Sequence, residues 1–411
     1  MYPMQSLLTK DKVTLKYIDT GADHDSEEAR KPWIILVSIK FSSLLQALLL
    51  SIGIMFCRFC MNYGSSGLIE VPIWPIFQKQ AAGQYPILNC AVPVVVIYAA
   101  SSGLESHFNL IATPTTYCQL HGFTGSSAVW KRNIPGLAKT YRVVAPDLRG
   151  HGESDKPRHG YHVSRLAQDL HEMVNWIYAK EGSQSWDDEK GEMRRWKAIG
   201  GSLGCSILWA YASLFTTHPF THMIFIDQSP LQNSDLSGWD SQFCNRGMNS
   251  APAVSALQAT FALSPTTAHK GTISACLSYR SHPLSSDTVS AEEAASDEAF
   301  FLAEAIKGDP WWYGKLMADH TALDWRDDIR AIFGKESGST VKVLVLASSR
   351  SGCFPAAGPM TVVDLVNEGC EKKRAQGLIV EWGGHWLYFE NPVKFEGIVL
   401  DFFADKKVTD V

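Results

Sequence analysis

The sequence predicts an α/β fold, in which a mostly parallel central sheet is flanked by helices on both faces. Three observations support this prediction. Short apolar runs typical of buried strands alternate with longer segments of helical periodicity. The strand-like run at residues 196–199 leads through a glycine-rich turn directly into a helix-like run. Residues 230–325 contain no strand-like run, which indicates a helical cap over the carboxyl ends of the strands.

Length and composition restrict the class of protein. The 411 residues, 45% of them hydrophobic, suffice for one large domain or two small ones. The net charge of −5, without basic clusters, argues against nucleic-acid binding. Nine scattered cysteines argue against a disulfide framework and favour a reducing, cytoplasmic compartment. We expect no metal site, because the spaced pair Cys57 and Cys60 lacks a second pair that would complete a zinc site.

The predicted elements follow one another in a regular order. Residues 12–19 alternate with period two, as in a half-exposed strand, and residues 181–194 are charged, as in a surface loop. Buried strands are predicted at residues 32–36, 141–145, 196–199, 221–227, 341–347 and 378–382. A helix is predicted at residues 126–140, with a break at Pro135 and Gly136 near its end. Further helices are predicted at residues 163–178, 361–375 and 392–403, with a helical patch at residues 291–306 inside the cap.

Residues 37–119 interrupt this order. They open with an apolar stretch, residues 41–57, that is at the short limit for a membrane span. Their removal would join residues 36 and 120 into an uninterrupted strand, Trp-Ile-Ile-Leu-Leu, that ends in His-Gly. Codons for Val37 begin with GT and Gln119 can be encoded by CAG, which fits the two ends of an intron. We interpret the segment as translated intron; the alternative is a genuine membrane anchor that splits a central strand.

The turn after residues 196–199 has the pattern Gly200-x-Ser202-x-Gly204. A sharp turn from strand to helix strains the backbone of its central residue, so the neighbours on either side must be very small. Gly200, Gly201 and Gly204 meet this requirement. The pattern in this context predicts a nucleophile elbow, with the Ser202 hydroxyl projecting from the top of the sheet.

Five short motifs occur in a characteristic order. They are His-Gly-Phe at residues 121–123, Asp-Leu-Arg-Gly-His-Gly-Glu-Ser at 147–154, Gly-Gly-Ser-Leu-Gly at 200–204, Asp-Gln-Ser-Pro at 227–230 and Gly-Gly-His-Trp-Leu-Tyr-Phe-Glu-Asn-Pro at 383–392. With them the chain resembles the α/β-hydrolase superfamily, in particular its branch of cap-bearing esterases and cofactor-free haloperoxidase-like proteins. The resemblance implies one hydrolase domain, residues 1–36 and 120–411, with its cap within about 230–325.

The resemblance also implies catalytic roles. Ser202 would be the nucleophile, and His385, in the loop after the last strand, would be its base. The family most often places the acid after the strand at residues 341–347, where this chain has Ser351. Some branches place it after the preceding strand, so we predict Asp227, which would otherwise only cap its turn; Asp364 is the next acidic candidate.

Two backbone N–H groups complete the predicted site. Those of Leu203, directly after the nucleophile, and Phe123, directly after the His-Gly pair, are expected to form the oxyanion hole. His121 and His151 match turn motifs of the family, and we expect both to be structural.

These features predict a serine hydrolase that cleaves a small apolar ester, thioester or lactone through an acyl-enzyme, without a cofactor. Membrane contact is expected only if residues 41–57 are genuine. A serine at the elbow argues against epoxide hydrolysis and dehalogenation, because in this superfamily a carboxylate performs those attacks. Two alternatives stay open: hydrolysis of a carbon–carbon bond, and a non-catalytic ligand-binding protein of the same fold.

Overall fold

The computed structural model describes residues 2–21, 116–180, 196–234 and 239–409. Within these ranges eight strands form one sheet: β1 (Met4–Leu8), β2 (Thr14–Asp19), β3 (Thr116–Leu120), β4 (Arg142–Pro146), β5 (Trp196–Gly201), β6 (Phe220–Ile226), β7 (Lys342–Ser348) and β8 (Ala375–Val380). Their order across the sheet is β1-β2-β4-β3-β5-β6-β7-β8. The pairs β1–β2 and β2–β4 are antiparallel, and every pair from β4 to β8 is parallel. This confirms the predicted mostly parallel sheet.

Helices connect the strands. They are α1 (Ile134–Leu137), α2 (Val163–Lys180), α3 (Leu203–Leu214), α4 (Ala251–Leu263), α5 (Pro265–Cys276), α6 (Ser278–Ser281), α7 (Ala291–Ala305), α8 (Pro310–Ala322), α9 (Arg326–Phe333), α10 (Ala357–Asn367), α11 (Leu387–Glu390) and α12 (Pro392–Phe403). Short 3₁₀ turns occur at Ser127–Trp130, Ser241–Phe243 and Lys335–Ser337.

The sheet is buried on both faces, because consecutive residues of its strands contribute to two different hydrophobic clusters. Ala198 of β5 belongs to a cluster with α2 and α3, whereas the next residue, Ile199, belongs to a cluster with α12. In β4, likewise, Val144 belongs to the first of these clusters and Val143 to the second. A parallel sheet between two helical layers explains why its strands are almost uniformly apolar in sequence.

The segment predicted as the cap contains helices α4 to α8, which lie between β6 and β7 in the chain. They pack on loops at the carboxyl ends of the strands: the Phe261 ring lies 5.9 Å from that of Phe123, centroid to centroid, and Glu304 accepts a 2.6 Å hydrogen bond from the Ser126 hydroxyl. The cap therefore covers the sheet edge where α/β proteins bind their ligands.

Two predicted helices have different bounds in the structure. Residues 126–140 form the 3₁₀ turn Ser127–Trp130 and the one-turn helix α1 instead of one long helix. Proline can begin a helix but cannot continue one, and Pro135 lies in the first turn of α1. The helix predicted at residues 361–375 begins earlier and ends at Asn367, whose side-chain oxygen accepts the N–H groups of Arg374 and Ala375.

Most of the predicted insert, together with residues 32–36 and the apolar stretch 41–57, lies outside the described residues. Residues 116–119 are the exception. The sequence analysis assigns them to the insert, but in the structure they form strand β3 together with Leu120. This strand lies between β4 and β5, and residues 116–119 belong to it because they directly precede Leu120 in the chain. Among the described helices, none combines the length and apolar character needed to cross a membrane.

Candidate active site

Ser202 occupies the turn between β5 and α3 in a strained backbone conformation, with φ 51° and ψ −117°. The two flanking glycines make this turn sterically possible. A Cβ atom added to Gly200 would lie 2.6 Å from the backbone of Gly204, and one added to Gly204 would lie 2.5 Å from the carbonyl oxygen of Leu120. Helix α3 therefore packs directly on β3 and β5, with Ser202 at the junction.

Asp227 and His385 form a buried pair. Asp227 follows β6 with a positive φ of 47° and has no solvent exposure, and His385 is 5% exposed in the loop after β8. The His385 Nδ1–H donates to Asp227 Oδ2 at 2.6 Å. With Nδ1 engaged in this way, the other ring nitrogen, Nε2, is available to a proton donor.

Ser351, at the position where the family most often has its acid, contacts Asp227 instead of replacing it. Its hydroxyl donates to Asp227 Oδ2 at 2.6 Å and accepts the N–H groups of Cys353 and Phe354. The N–H of Ser348 donates to the other carboxylate oxygen at 3.1 Å. Three donors thus hold the carboxylate in one orientation toward the histidine. Asp364 lies exposed on α10, away from this network.

The charge on His385 depends on its neighbours. Burial disfavours the imidazolium, but the negative charge of Cys353 and the hydrogen bond to Asp227 outweigh this and raise the pKa of His385 to about 9. A hydrogen bond with Cys276 lowers the pKa of the Cys353 thiol. Neither cysteine was identified from the sequence, because they belong to separate segments that meet only in the folded chain.

The Ser202 hydroxyl donates to Gln228 Oε1 at 3.3 Å. It makes no hydrogen bond with His385 within the described residues. Gln228 is almost fully buried, and its own amide donates to the carbonyl of Ser229. The sequence motif at residues 227–230 contained this glutamine, but no sequence signal linked it to the serine. Nucleophile and base often approach each other closely only when substrate is bound.

The predicted oxyanion loop lies close to the serine. A Cβ atom added to Gly122 would lie 3.2 Å from Ser202 Cβ. The N–H groups of Phe123 and Leu203 make no hydrogen bond to other described residues, so both remain available. His121 Nε2 accepts the N–H of Leu148 at 3.0 Å, so its Nδ1–H faces the Gly122 carbonyl at 2.8 Å.

Burial lowers the pKa of His121 and keeps it neutral in this bridging role. It thereby fixes the loop that carries Phe123. Aromatic rings lie beside this loop and beside the histidine. The ring centroids of Phe123 and Tyr313, a cap residue, are 5.4 Å apart, and those of Phe354 and His385 are 5.9 Å apart.

Comparison with known proteins agrees with this architecture. A family model described as alpha/beta hydrolase fold matches residues 118–392. The chain therefore belongs to the α/β-hydrolase fold family. It is 36% identical over 85 residues to a soluble epoxide hydrolase of Corynebacterium sp. (strain C12), a match that covers 20% of this chain and 30% of that protein.

A second match is to the 2-(acetamidomethylene)succinate hydrolase of Mesorhizobium japonicum, with 39% identity over 57 residues, 14% of this chain and 20% of that one. The matches to the first curated relatives span only about a third of the length of those proteins.

Solved structures resemble this chain over most of their length. A bromoperoxidase from Bacillus anthracis superimposes with a TM-score of 0.58 at 16% identity, covering 71% of this chain and 93% of that one. An enol-lactonase from Burkholderia xenovorans LB400 gives 0.55 at 15% identity, covering 72% and 94%. At such identities the likeness shows the fold alone. Family membership and the structural likeness together show a protein of the α/β-hydrolase fold.

Proposed function

We propose that this protein is a serine hydrolase that cleaves an ester, thioester or lactone with an apolar part, through an acyl-enzyme on Ser202. The observation that carries the proposal is the strained elbow serine at the same sheet edge as the buried Asp227–His385 pair, whose atoms lie 2.6 Å apart. Strain of this kind persists only where the surrounding structure enforces it, and such positions cluster at active sites.

The proposed reaction begins when substrate displaces the Ser202 hydroxyl from Gln228. The hydroxyl then turns to His385 Nε2, which takes its proton as Ser202 attacks the carbonyl carbon. Asp227 stabilises the imidazolium, and the N–H groups of Phe123 and Leu203 bind the developing oxyanion. The leaving group departs with the proton from His385, and water, activated by the same histidine, hydrolyses the acyl-enzyme.

Epoxide hydrolysis fits this site less well, although several matched relatives carry that name. In this superfamily epoxide opening uses a carboxylate as the attacking group, and this chain has Ser202 at the elbow. The carboxylate of Asp227, which contacts His385, is fully buried and engaged by three donors. The aromatic side chains of Phe123, Phe354 and Tyr313 around the site favour a substrate with an apolar group.

One observation favours a second candidate, a ligand-binding protein that retains the fold without turnover. The Ser202 hydroxyl donates to Gln228 and not to His385. A serine held permanently in this position would lack its base and would not be activated.

A fluorophosphonate probe distinguishes these two candidates. We expect stoichiometric labelling of the wild-type protein and none of Ser202→Ala. Ser206→Ala is the matched control, because Ser206 lies one turn further along α3 and its buried hydroxyl has no hydrogen-bond partner among the described residues. This variant should label at the wild-type rate. If the folded wild-type protein fails to label, the hydrolase proposal is wrong and the ligand-binding candidate stands.

A further inference from the structure

Two cysteines lie against His385, at the junction of the cap and the sheet. Cys276 is the buried last residue of α5, and Cys353 lies in the loop between β7 and α10. Their sulfur atoms are 3.6 Å apart. One potential ligand atom from each of Cys276, Cys353 and His385 lies within 4.8 Å of the other two.

The spacing matches that of a metal site. In a tetrahedral zinc centre with Zn–S bonds of about 2.3 Å, two thiolate sulfurs lie about 3.8 Å apart. Two thiolates and an imidazole form a soft donor set, which selects Zn²⁺ and related thiophilic cations over Mg²⁺ or Ca²⁺. Since His385 Nδ1 is bound to Asp227, Nε2 is the nitrogen left for a metal. A carboxylate on the far side of a metal-binding histidine is a common supporting arrangement.

The backbone holds the three ligand positions together without a metal. The Trp386 N–H donates to the Cys276 carbonyl at 3.3 Å, and the Gly352 N–H donates to the Ala275 carbonyl at 3.0 Å. Both loops are thus tied to the end of α5. A Cβ atom added to Gly384 would lie 2.6 Å from the Cys276 carbonyl oxygen, so the histidine loop packs directly on this helix end.

We propose that Cys276, Cys353 and His385 form an inhibitory site for a thiophilic divalent cation such as Zn²⁺. Each cysteine that is protonated releases its proton to solvent on binding, and the cation takes three protein ligands and one water. His385 Nε2 is then bound to metal and cannot accept the Ser202 proton. Metal binding itself is independent of the reaction, whereas inhibition rests on the proposed serine-hydrolase function.

Cadmium is the direct probe of the site, because cadmium thiolates absorb in the ultraviolet. The parent protein is the full chain with Cys57→Ser and Cys60→Ser, which removes the other closely spaced pair, and it is reduced and freed of metal with a chelator. We expect one Cd²⁺ per chain and a thiolate band that is lost in Cys276→Ser and in Cys353→Ser. Cys370→Ser is the matched control, because the partly exposed Cys370 thiol donates a hydrogen bond to the carbonyl oxygen of Val366 in α10.

The inhibitory role is tested with Zn²⁺ and the fluorophosphonate probe. Zn²⁺ should slow labelling of the parent protein, and a chelator should restore it. Labelling of each variant is compared with its own metal-free rate. Because one ligand is lost, the Zn²⁺ concentration that halves this rate should rise at least about tenfold in Cys276→Ser and in Cys353→Ser. It should not change in Cys370→Ser.

The two readouts separate the claims. A cadmium band that persists in both ligand variants would overturn the metal site, even if the protein never labels. Equal zinc inhibition of the parent and both ligand variants would overturn the inhibitory role. A protein that binds cadmium as expected but never labels would contradict the proposed hydrolase function and leave the metal site standing.

Discussion

The replacement of Asp227 by asparagine tests the proposed acid at the level of single hydrogen bonds. Asp227 Oδ2 accepts from His385 and Ser351, and Oδ1 accepts from Ser348. An asparagine keeps one oxygen and presents an NH₂ group in place of the other. In either orientation a donor then faces a donor, and the negative charge opposite His385 is lost. The same change in a serine protease lowers kcat about 10⁴-fold, which corresponds to about 5 kcal/mol.

The assay is the hydrolysis of a chromogenic ester, with the fluorophosphonate labelling rate as a second measure. We expect Asp227→Asn to reduce both by orders of magnitude while circular dichroism and melting temperature stay near the wild-type values. Asp364→Asn, on the exposed face of α10, should be unaffected. If folded Asp227→Asn keeps more than about a tenth of the wild-type kcat, Asp227 does not balance the charge of the imidazolium.

A second-site change sharpens the test. Ser351 lies at the position where the family most often has its acid, and its hydroxyl is already 2.6 Å from Asp227 Oδ2. In the Asp227→Asn background, Ser351→Asp should raise kcat at least about tenfold above that of Asp227→Asn alone. Substitutions at two contacting residues can differ from additivity by this amount. In the wild-type background the same change should lower activity, because two carboxylates would meet in a buried space. Ser351→Ala alone should have only a small effect.

Three further predictions follow from the described residues and the sequence. Gly204→Ala should destabilise the fold by about 1–3 kcal/mol in thermal unfolding, because its Cβ would clash with the carbonyl at the end of β3, whereas Gly397→Ala meets open space and should be tolerated. Because the pKa of His385 is raised to about 9 and only neutral imidazole accepts a proton, the labelling rate in chelator should rise with pH up to about 9; a plateau from pH 7 would contradict this. We propose that residues 37–119 are translated intron. Their deletion should give a stable, active protein, because residues 32–36 then supply the strand before the oxyanion loop. An insoluble deletion product would contradict this proposal.

Much of the fold could be predicted because it depends on local patterns. The apolar runs of β4 to β8 and the helix from Pro392 to Phe403 are visible in short windows of sequence, and the structure has them at or near the predicted places. The prediction of one helix at residues 126–140 was wrong. The helical periodicity of its apolar residues favoured a continuous helix, whereas in the structure a separate one-turn helix begins around Pro135. Strand β1 was missed, since its residues precede the clear alternation of β2.

The site was predictable only in part. Motifs pointed to Ser202 and His385, and the structure brings both to one edge of the sheet. The sequence left the acid open because a carboxylate after either of two neighbouring strands can reach the same histidine. In the structure Asp227 is the carboxylate that contacts His385, and its role as the acid stays a prediction. Gln228 and the two cysteines gave no signal, because their roles arise from contacts between distant segments: Cys276 and Cys353 are 77 residues apart in the chain.

Trapping of the reaction intermediate tests the central claim most directly. The protein would be mixed with an activated ester, quenched in acid within the first turnovers and digested for mass spectrometry. The proposed mechanism predicts one acyl group per chain on the peptide that contains Ser202, formed in a burst and lost again as water hydrolyses the ester. Ester turnover without any acyl group on Ser202, or with the acyl group on another residue, would contradict it.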